Sequence, residues 1–289
     1  MLSICIPIYN FNVSDLVKSL HKEAEDLSID YEILLIDDAS NALFRHENQT
    51  LSDLPFVTYI QLNENIGRAK IRNLLVQKAK YDNLLLLDCD SAITQTFLKK
   101  YINVIGTHKI ISGGRIYTEE PPVKDFYFHW YYGVYRESKS DNFMSNNFLI
   151  KRSTWEQVKF NENITQYGHE DTLFQIELER KGIYIEKINN PVIHIGLDNN
   201  LAFLNKSEIC IENSLFILSN KLINNKELKY FRLLSVYKKV DNLKLDSIFS
   251  SLHNLAGKKI KMLLIRKPNL FLFDLYKLLY ICNVAKKQT

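Results

Sequence analysis

None of the usual Gly-rich phosphate cradles occurs in this sequence. There is no GxxxxGK(S/T), and PIYNFNVSD, which closes the first apolar run, contains no glycine. Phosphate binding by a P-loop or a GxGxxG turn is therefore excluded. No apolar run approaches the roughly 18 residues of a membrane-spanning helix. The opening MLSICIPIYN has no basic n-region, and its apolar run stops at a proline, unlike a secretory signal. Cys5, Cys89, Cys210 and Cys282 are scattered, with no CxxC pair and three of them in apolar surroundings. Buried thiols in a reducing compartment are expected, in a protein made and kept in the cytoplasm. Internal repeats and low-complexity linkers are missing too.

What is present is ordinary in bulk and uneven along the chain. The 289 residues suffice for one large domain or two modest ones. A 46 % hydrophobic and 24 % charged composition is ordinary for a globular protein, enzymes included. The net charge of +4 conceals an asymmetry: residues 221–289 hold 15 Lys and Arg against 4 Asp and Glu, whereas residues 1–220 hold 22 against 29. An acidic body thus precedes a basic tail. The tail carries no nucleic-acid motif, so no nucleic-acid partner is expected.

Four apolar runs fall in the first ninety residues: LSICIPI, YEILLI, FVTYIQL and NLLLL. Helical patterns lie between them, notably at 14–28, where Ser14 is expected to cap, and at 66–80. Strands alternating with helices predict βαβ units and a parallel sheet. Each run exits into polar side chains: Tyr9-Asn10, Asp37-Asp38, Asn63-Glu64-Asn65 and Asp88-Cys89-Asp90. The carboxyl ends of parallel strands share one edge, where ligands bind. One such exit is an ordinary turn; four together favour a ligand site. Farther on, KIISGGRIY reads as a strand with a Gly-Gly bend, NFMSNNFLIKR as another, 169–181 as a helix, and GIYIEKI and NPVIHIG as short closing strands.

LLLLDCDSA joins a buried strand to two exit carboxylates. Four consecutive leucines suit a strand buried on both faces. Asp88 and Asp90, at i and i+2 of a strand end, point to the same side. Such a pair can hold a divalent cation directly or through water, and Mg²⁺ commonly takes one or two carboxylates plus substrate phosphates.

SICIPIYN, EILLIDDAS, NENIGRAKIRN, LLLLDCD and GHEDTLFQIELERKG occur in the order and approximate spacing of family-2 glycosyltransferases, over roughly residues 1–200. The middle segments GGRIY, HWYYGVYRE and FMSNNFLIKR resemble bacterial members that build surface polysaccharides. The resemblance implies the GT-A fold, a Rossmann-like, mostly parallel sheet flanked by helices, here with a helical basic C-terminal extension. Residues 1–200 would be the catalytic domain, with a nucleotide-sugar half at about 1–108 and an acceptor half at about 109–200. Residues 201–289 would be the helical region.

The implied activity is an inverting, metal-dependent transfer of a hexose or N-acetylhexosamine. The donor is a UDP-sugar, and the acceptor is a hydroxyl of a saccharide or lipid-linked saccharide. Asp37 or Asp38 is placed at the uracil, with Pro7, Tyr9 and Asn10 forming the neighbouring wall. Asn65, Gly67, Arg72 and Asn73 match a family pattern. Arg68 departs from the small residue often found there, so either arginine can face the diphosphate. The two are also an i,i+4 pair on one helix face, solvated or paired with Glu64. Asp90 would be the direct ligand of Mg²⁺ or Mn²⁺, with Asp88 nearer the ribose. His194 either completes the metal site, as in some members, or is structural. Asp171 would be the base and Glu170 would bind acceptor or orient the site; acids in a helix's first turn also suit its dipole. The tail, apolar and basic from residue 257 to 289, would meet the inner face of the membrane peripherally or pack as a lid or dimer contact. The alternatives are a sugar nucleotidyltransferase, disfavoured by the missing Gly-rich loop, and a catalytically silent carbohydrate-binding protein on the same fold.

Overall fold

Three of the four apolar runs form strands buried on both faces, and the third forms the half-exposed edge strand of the sheet. The computed structural model describes residues 1–288. Its strands are β1 (Leu2–Ile8), β2 (Tyr31–Asp37), β3 (Val57–Gln61), β4 (Asn83–Leu87), β5 (Ser91–Ala92), β6 (Ile110–Ser112), β7 (Arg115–Ile116), β8 (Asn147–Lys151), β9 (Glu186–Lys187) and β10 (Val192–His194). The main sheet has the order β3-β2-β1-β4-β8-β6-β9, and β5-β10-β7 form a smaller one. Within the main sheet β1 to β4 are mutually parallel, and β8 runs antiparallel to both β4 and β6.

Helices α1 (Ser14–Asp26), α2 (Ala42–Gln49), α3 (Arg68–Lys78) and α4 (Phe97–Ile102) follow the first strands. They are succeeded by α5 (Tyr127–Tyr135), α6 (Arg152–Trp155), α7 (Glu170–Arg180), α8 (Asn200–Ser219), α9 (Arg232–Asn242), α10 (Asp246–Arg266) and α11 (Leu270–Gln288). The chain forms two compact units. The first comprises Met1–Thr118, Ser138–Thr165 and Glu170–Gly196; the second comprises Glu119–Glu137, Gln166–His169 and the residues from Leu197 onward.

The leucines of NLLLL divide by parity, as a strand's side chains must. Leu85 and Leu87 join Ile4, Ile6, Val17 and Leu20 on one face of the sheet; Leu84 and Leu86 join Ile36, Leu75, Phe148 and Phe174 on the other. All four are buried, and each stabilises the fold by about 1.5–3 kcal/mol relative to exposure. The expected parallel sheet and the helical extension are both present.

Two expectations need correction. Ser14 does not cap α1 but is its first residue; its own N–H donates to Asn12 Oδ1 at 2.9 Å. The loop before it is held from elsewhere, by the Val13 N–H donating to Asn48 Oδ1 at 3.0 Å. KIISGGRIY is not one bent strand, because β6 and β7 belong to different sheets. The Gly113-Gly114 break makes that switch possible. A Cβ on Gly113 would lie 2.4 Å from the Asn190 carbonyl oxygen, and Gly114 has φ +83°.

The second unit is built from α5 and α8 to α11 around Phe128, Phe203, Leu204, Leu264, Phe273 and Tyr276. Asn200 ties it together. Its amide nitrogen donates to the carbonyls of Lys124 and Ile265, both at 3.0 Å, and its oxygen accepts from the Phe128 N–H at 2.8 Å. Among the described residues no helix is long and apolar enough to cross a membrane.

Candidate active site

The exits of β1 and β2 are tied to each other. The Asn10 N–H donates to Ser40 Oγ at 2.8 Å, and Asn10 Oδ1 accepts from the Asn41 N–H at 2.8 Å. Asn10 adopts φ +50°, a left-handed conformation that asparagine tolerates better than most residues. Asp37 is fully buried and works inside this knot: Oδ1 accepts from the Ser40 N–H at 2.7 Å and Oδ2 from the Tyr59 hydroxyl at 2.8 Å. Pro7 is half-buried in β1, whereas Tyr9 is 54 % exposed at its end.

Asp38 clasps the next segment. Its Oδ1 accepts from the Ile66 N–H at 2.7 Å and its Oδ2 from the Gly67 N–H at 3.0 Å. Asn65 Nδ2 donates to the Asp38 carbonyl at 3.1 Å. These bonds fix the turn into α3, where Gly67 has φ +83°. Burial pushes the Asp38 carboxyl upward, the two backbone N–H donors offset part of that, and the charge of Asp37 adds to it. Asp37 and Asp38 are thus internal struts; of the strand-exit residues Tyr9, Asn63, Glu64 and Asn65 face solvent.

A buried charge cluster lies at the exit of β4. Arg72 projects from α3 among Ala69, Ile71, Leu75 and Val76, and only 2 % of it is exposed. Its Nη2 lies 2.5 Å from Asp88 Oδ1, its Nη1 donates to the Arg68 carbonyl at 3.1 Å, and its guanidinium sits 5.6 Å from the centre of the Phe160 ring. Arg68 Nε bonds Glu170 Oε1 at 2.5 Å, with Nη2 3.6 Å from Asp88 Oδ2. Arg115 Nη2 also lies 3.6 Å from Asp88 Oδ2. Three guanidinium groups therefore surround Asp88, and Arg68 bridges it to Glu170. Arg68 pairs with neither Glu64 nor solvent alone. Asn73 lies apart: its amide donates to the Phe160 carbonyl at 3.0 Å and to Glu162 Oε1 at 2.8 Å.

Glu170 and Asp171 open α7 side by side, yet they ionise differently. Burial opposes ionisation of Glu170, but the charges of Arg68 and Arg72 outweigh it and hold the group below the ordinary glutamate value. Asp171 is pushed up to about 6, first by burial and then by the charge of Glu170. Its Oδ1 accepts from its neighbour's N–H, that of Thr172, at 2.7 Å. Two adjacent carboxylates driven apart in this way are suited to different tasks, one as a fixed anion and one as a proton acceptor near neutrality.

Asp90 meets His194 across the small sheet, Oδ1 to Nδ1 at 3.5 Å. Burial works against its ionisation; the imidazole, then Arg115 and Arg68, hold it well below the ordinary value. Asp90 Oδ1 is buried and accepts no well-formed hydrogen bond. The chain can approach so closely because residue 196 is glycine: a Cβ there would lie 2.5 Å from Asp90 Cβ. Asp88, Asp90 and His194 do not assemble into a three-ligand cation site, and no cluster of three His, Cys, Asp or Glu with that geometry occurs among the described residues. Asp90 and His194 form a two-donor set in which Asp90 Oδ1 accepts no hydrogen bond, and this suits a cation completed by substrate oxygens or water. Cys89, between the aspartates, packs half-buried against the core.

Arg115 and Gly196 were missed by sequence reasoning. Arg115 is the lone cation after the Gly-Gly break. Gly196 closes NPVIHIG, and only the approach of Asp90 explains it.

The P. fluorescens (strain Pf0-1) undecaprenyl-phosphate 4-deoxy-4-formamido-L-arabinose transferase is 35 % identical over 94 residues, 31 % of this chain and 27 % of that protein. The chain thus matches only about a quarter of that relative's length. Among solved structures, a mannosyltransferase from Pyrobaculum calidifontis in complex with GDP-Man and Mn²⁺ superposes with a TM-score of 0.58 at 13 % identity. That match covers 99 % of this chain and 87 % of the other. TarS from S. aureus superposes with a TM-score of 0.51 at 16 % identity, over 96 % of this chain and 54 % of that one. At these identities the likeness is one of fold, the GT-A fold. The model of glycosyl transferase family 2 matches residues 3–168, more than half the chain. The chain belongs to glycosyl transferase family 2.

Proposed function

We propose that this glycosyltransferase moves a hexose or N-acetylhexosamine, with inversion, from a UDP-sugar to a hydroxyl of a saccharide or lipid-linked saccharide in surface-polysaccharide assembly. The observation that carries this reading is the unequal ionisation of Glu170 and Asp171 beside a cluster of three arginines. Asp171 takes the proton of the acceptor hydroxyl as its oxygen attacks the anomeric carbon. The bond from that carbon to the diphosphate oxygen breaks with the electron pair leaving on the diphosphate. Attack opposite the leaving group inverts the anomeric centre. Glu170, held ionised by Arg68, keeps the proton-accepting role on its neighbour and orients the acceptor.

Arg68 and Arg115 offer N–H donors and charge to the departing diphosphate, while Arg72 fixes Asp88 and, through it, the geometry of the other two. Tyr9, with Pro7 and Asn10, forms the wall of the base site, and the Asp37–Asp38 knot holds its floor. Asp90 and His194 would hold Mg²⁺ or Mn²⁺. When bound, the cation supplies charge neutralisation at the diphosphate. The relative named for an undecaprenyl-phosphate substrate and the neighbour bound to GDP-Man and Mn²⁺ support a lipid-linked acceptor and a divalent cation. Cytoplasmic residence with peripheral contact of the C-terminal region at the inner membrane face completes the reading.

The test is product analysis with UDP-glucose, UDP-galactose and their N-acetyl forms, against saccharide and lipid-linked acceptors. Free UDP and a glycosylated acceptor are expected in Mn²⁺ and neither in chelator. Release of pyrophosphate instead would replace the reading with nucleotidyl transfer.

A further inference from the structure

Helix α10 is built inside out. The face it packs inward carries small residues, Ser250 and Gly257, before Leu264. Gly257 sits against the His253 ring, and Asn283 of α11 donates to Ser250 Oγ at 3.3 Å and to Asn254 Oδ1 at 2.7 Å. The opposite face carries Ile248, Leu252, Leu255, Lys259, Met262 and Arg266, spaced alternately four and three residues apart. That spacing places them on one side of a helix. Ile248 is 55 % exposed, Leu255 80 % and Met262 54 %. From Ser247 to Phe273 the sequence contains Lys258, Lys259, Lys261, Arg266 and Lys267 but no Asp or Glu. Lys261 is occupied by Glu208 at 2.8 Å, and the other four cations are exposed.

We infer that this face of α10 is a docking surface for an anionic phospholipid leaflet, the helix lying in the plane of the interface. This deepens the membrane contact proposed above and rests on it. The stripe is about 27 Å long at 1.5 Å per residue, long enough to lie along a bilayer surface. Its leucines, isoleucine and methionine enter the boundary between headgroups and acyl chains. Lys259 and Arg266 interrupt the apolar line, and long side chains of this kind bury their stems while the charged ends reach outward. Lipid phosphates at that depth match them. A second copy of the chain does not. Paired α10 faces would bring Lys259 and Arg266 into an apolar seam with no carboxylate on the same stripe to meet them, which is costly. A neutral protein groove leaves the same charges unpaired.

Flotation of the full chain with vesicles tests this. Phosphatidylcholine vesicles containing 30 % phosphatidylglycerol are expected to carry the protein, and pure phosphatidylcholine vesicles to carry much less. K258E/K259E should weaken binding to the anionic vesicles by at least about 30-fold, from roughly 1 kcal/mol per cation near such a surface. L252E/L255E should weaken binding to both vesicle types by more than about tenfold. Melting temperature with and without UDP and Mn²⁺ serves as the control for folding and for the donor site, and should match wild type in both variants. Absence of binding to anionic vesicles by the wild type overturns the membrane reading as a whole. Binding that survives in both variants overturns the assignment to α10 alone. A wild-type dimer in light scattering that L252E/L255E converts to monomer overturns it in favour of a second copy. Loss of UDP release with vesicle binding intact would instead count against the catalytic reading.

Discussion

In the sheet-built unit a guanidinium is buried: Arg72 sits on the core face of α3, between alanine, isoleucine, leucine and valine, with 2 % of its surface exposed. In the helical unit the reverse holds on α10, where leucine, isoleucine and methionine face solvent and serine and glycine face inward. Both depart from the pattern that folding alone would select, and departures of this kind collect where a protein works. Their costs differ. A buried ion must be met by partners fixed in place, whereas an exposed leucine costs the fold little and waits for a surface. The first kind of departure belongs to a rigid site. The second belongs to an interface.

The largest effect is expected where the rigid site does its chemistry. Asp171→Asn keeps the shape of the side chain and removes its basicity, so transfer at saturating donor should fall about 10²–10⁴-fold. In the wild type kcat/KM should fall tenfold per pH unit below about 6, because Asp171, pushed up to about 6, must be unprotonated to accept. Stability should move the other way. Between the ordinary aspartate value near 3.9 and the folded value, the native state binds the extra proton, so stability falls as pH rises through that window. Asp171→Asn removes this loss and should raise stability at pH 7.5 by up to about 3 kcal/mol. A variant that keeps near-normal turnover and is less stable than wild type at neutral pH would show that Asp171 is a helix-opening residue and nothing more.

Arg72→Met asks whether the buried charge is structural. Breaking one side of a buried pair leaves Asp88 without its nearest partner and typically costs about 3–5 kcal/mol. Denaturant unfolding should show a loss of that size. A loss under about 1 kcal/mol would mean that Arg68 and Arg115 already neutralise Asp88, and the contrast with α10 would collapse.

Sequence reading saw the strands well and the charge cluster only in part. Four apolar runs ending in polar residues are a local signal, and β1 to β4 carry it. Arg68 and Arg72 were legible as neighbours on one helix face, but their partners were not. Glu170 is 102 residues from Arg68, and Arg115 reaches Asp88 only because a glycine pair moves the chain from the main sheet to the small one. The same non-locality hid the grouping of 119–137 with the C-terminal helices. The tail was legible as basic and amphipathic. Which face is covered depends on α11, and sequence periodicity cannot say that the more apolar stripe is the one left out.

Asp90→Ala should have a smaller effect, confined to the cation. UDP binding in Mn²⁺ is expected to drop to the level seen in chelator, with the chelator value itself unchanged. His194→Gln should produce a partial version of the same change. Calorimetric titration with and without Mn²⁺ reads both. UDP that binds wild type equally well in chelator would remove Asp90 and His194 from any metal role.

The smallest effect is expected at Leu255, and there the comparison between the two regions is sharpest. Leu86 lies in β4 with 1 % of its surface exposed, packed among the side chains that cover the sheet's second face. Leu86→Ala deletes buried atoms and leaves a cavity, a loss of about 2–5 kcal/mol. Leu255 is 80 % exposed on α10. Leu255→Ala gives up no packing, and alanine is the slightly better helix former, so stability should change by less than about 0.5 kcal/mol. Parallel urea unfolding of the two variants separates a leucine that holds the fold from one that does not. A loss above about 1.5 kcal/mol at Leu255 would mean that its side chain is packed in solution, by this chain or by a second copy. The stripe would then be part of a protein core, and no surface would remain for a lipid leaflet to cover.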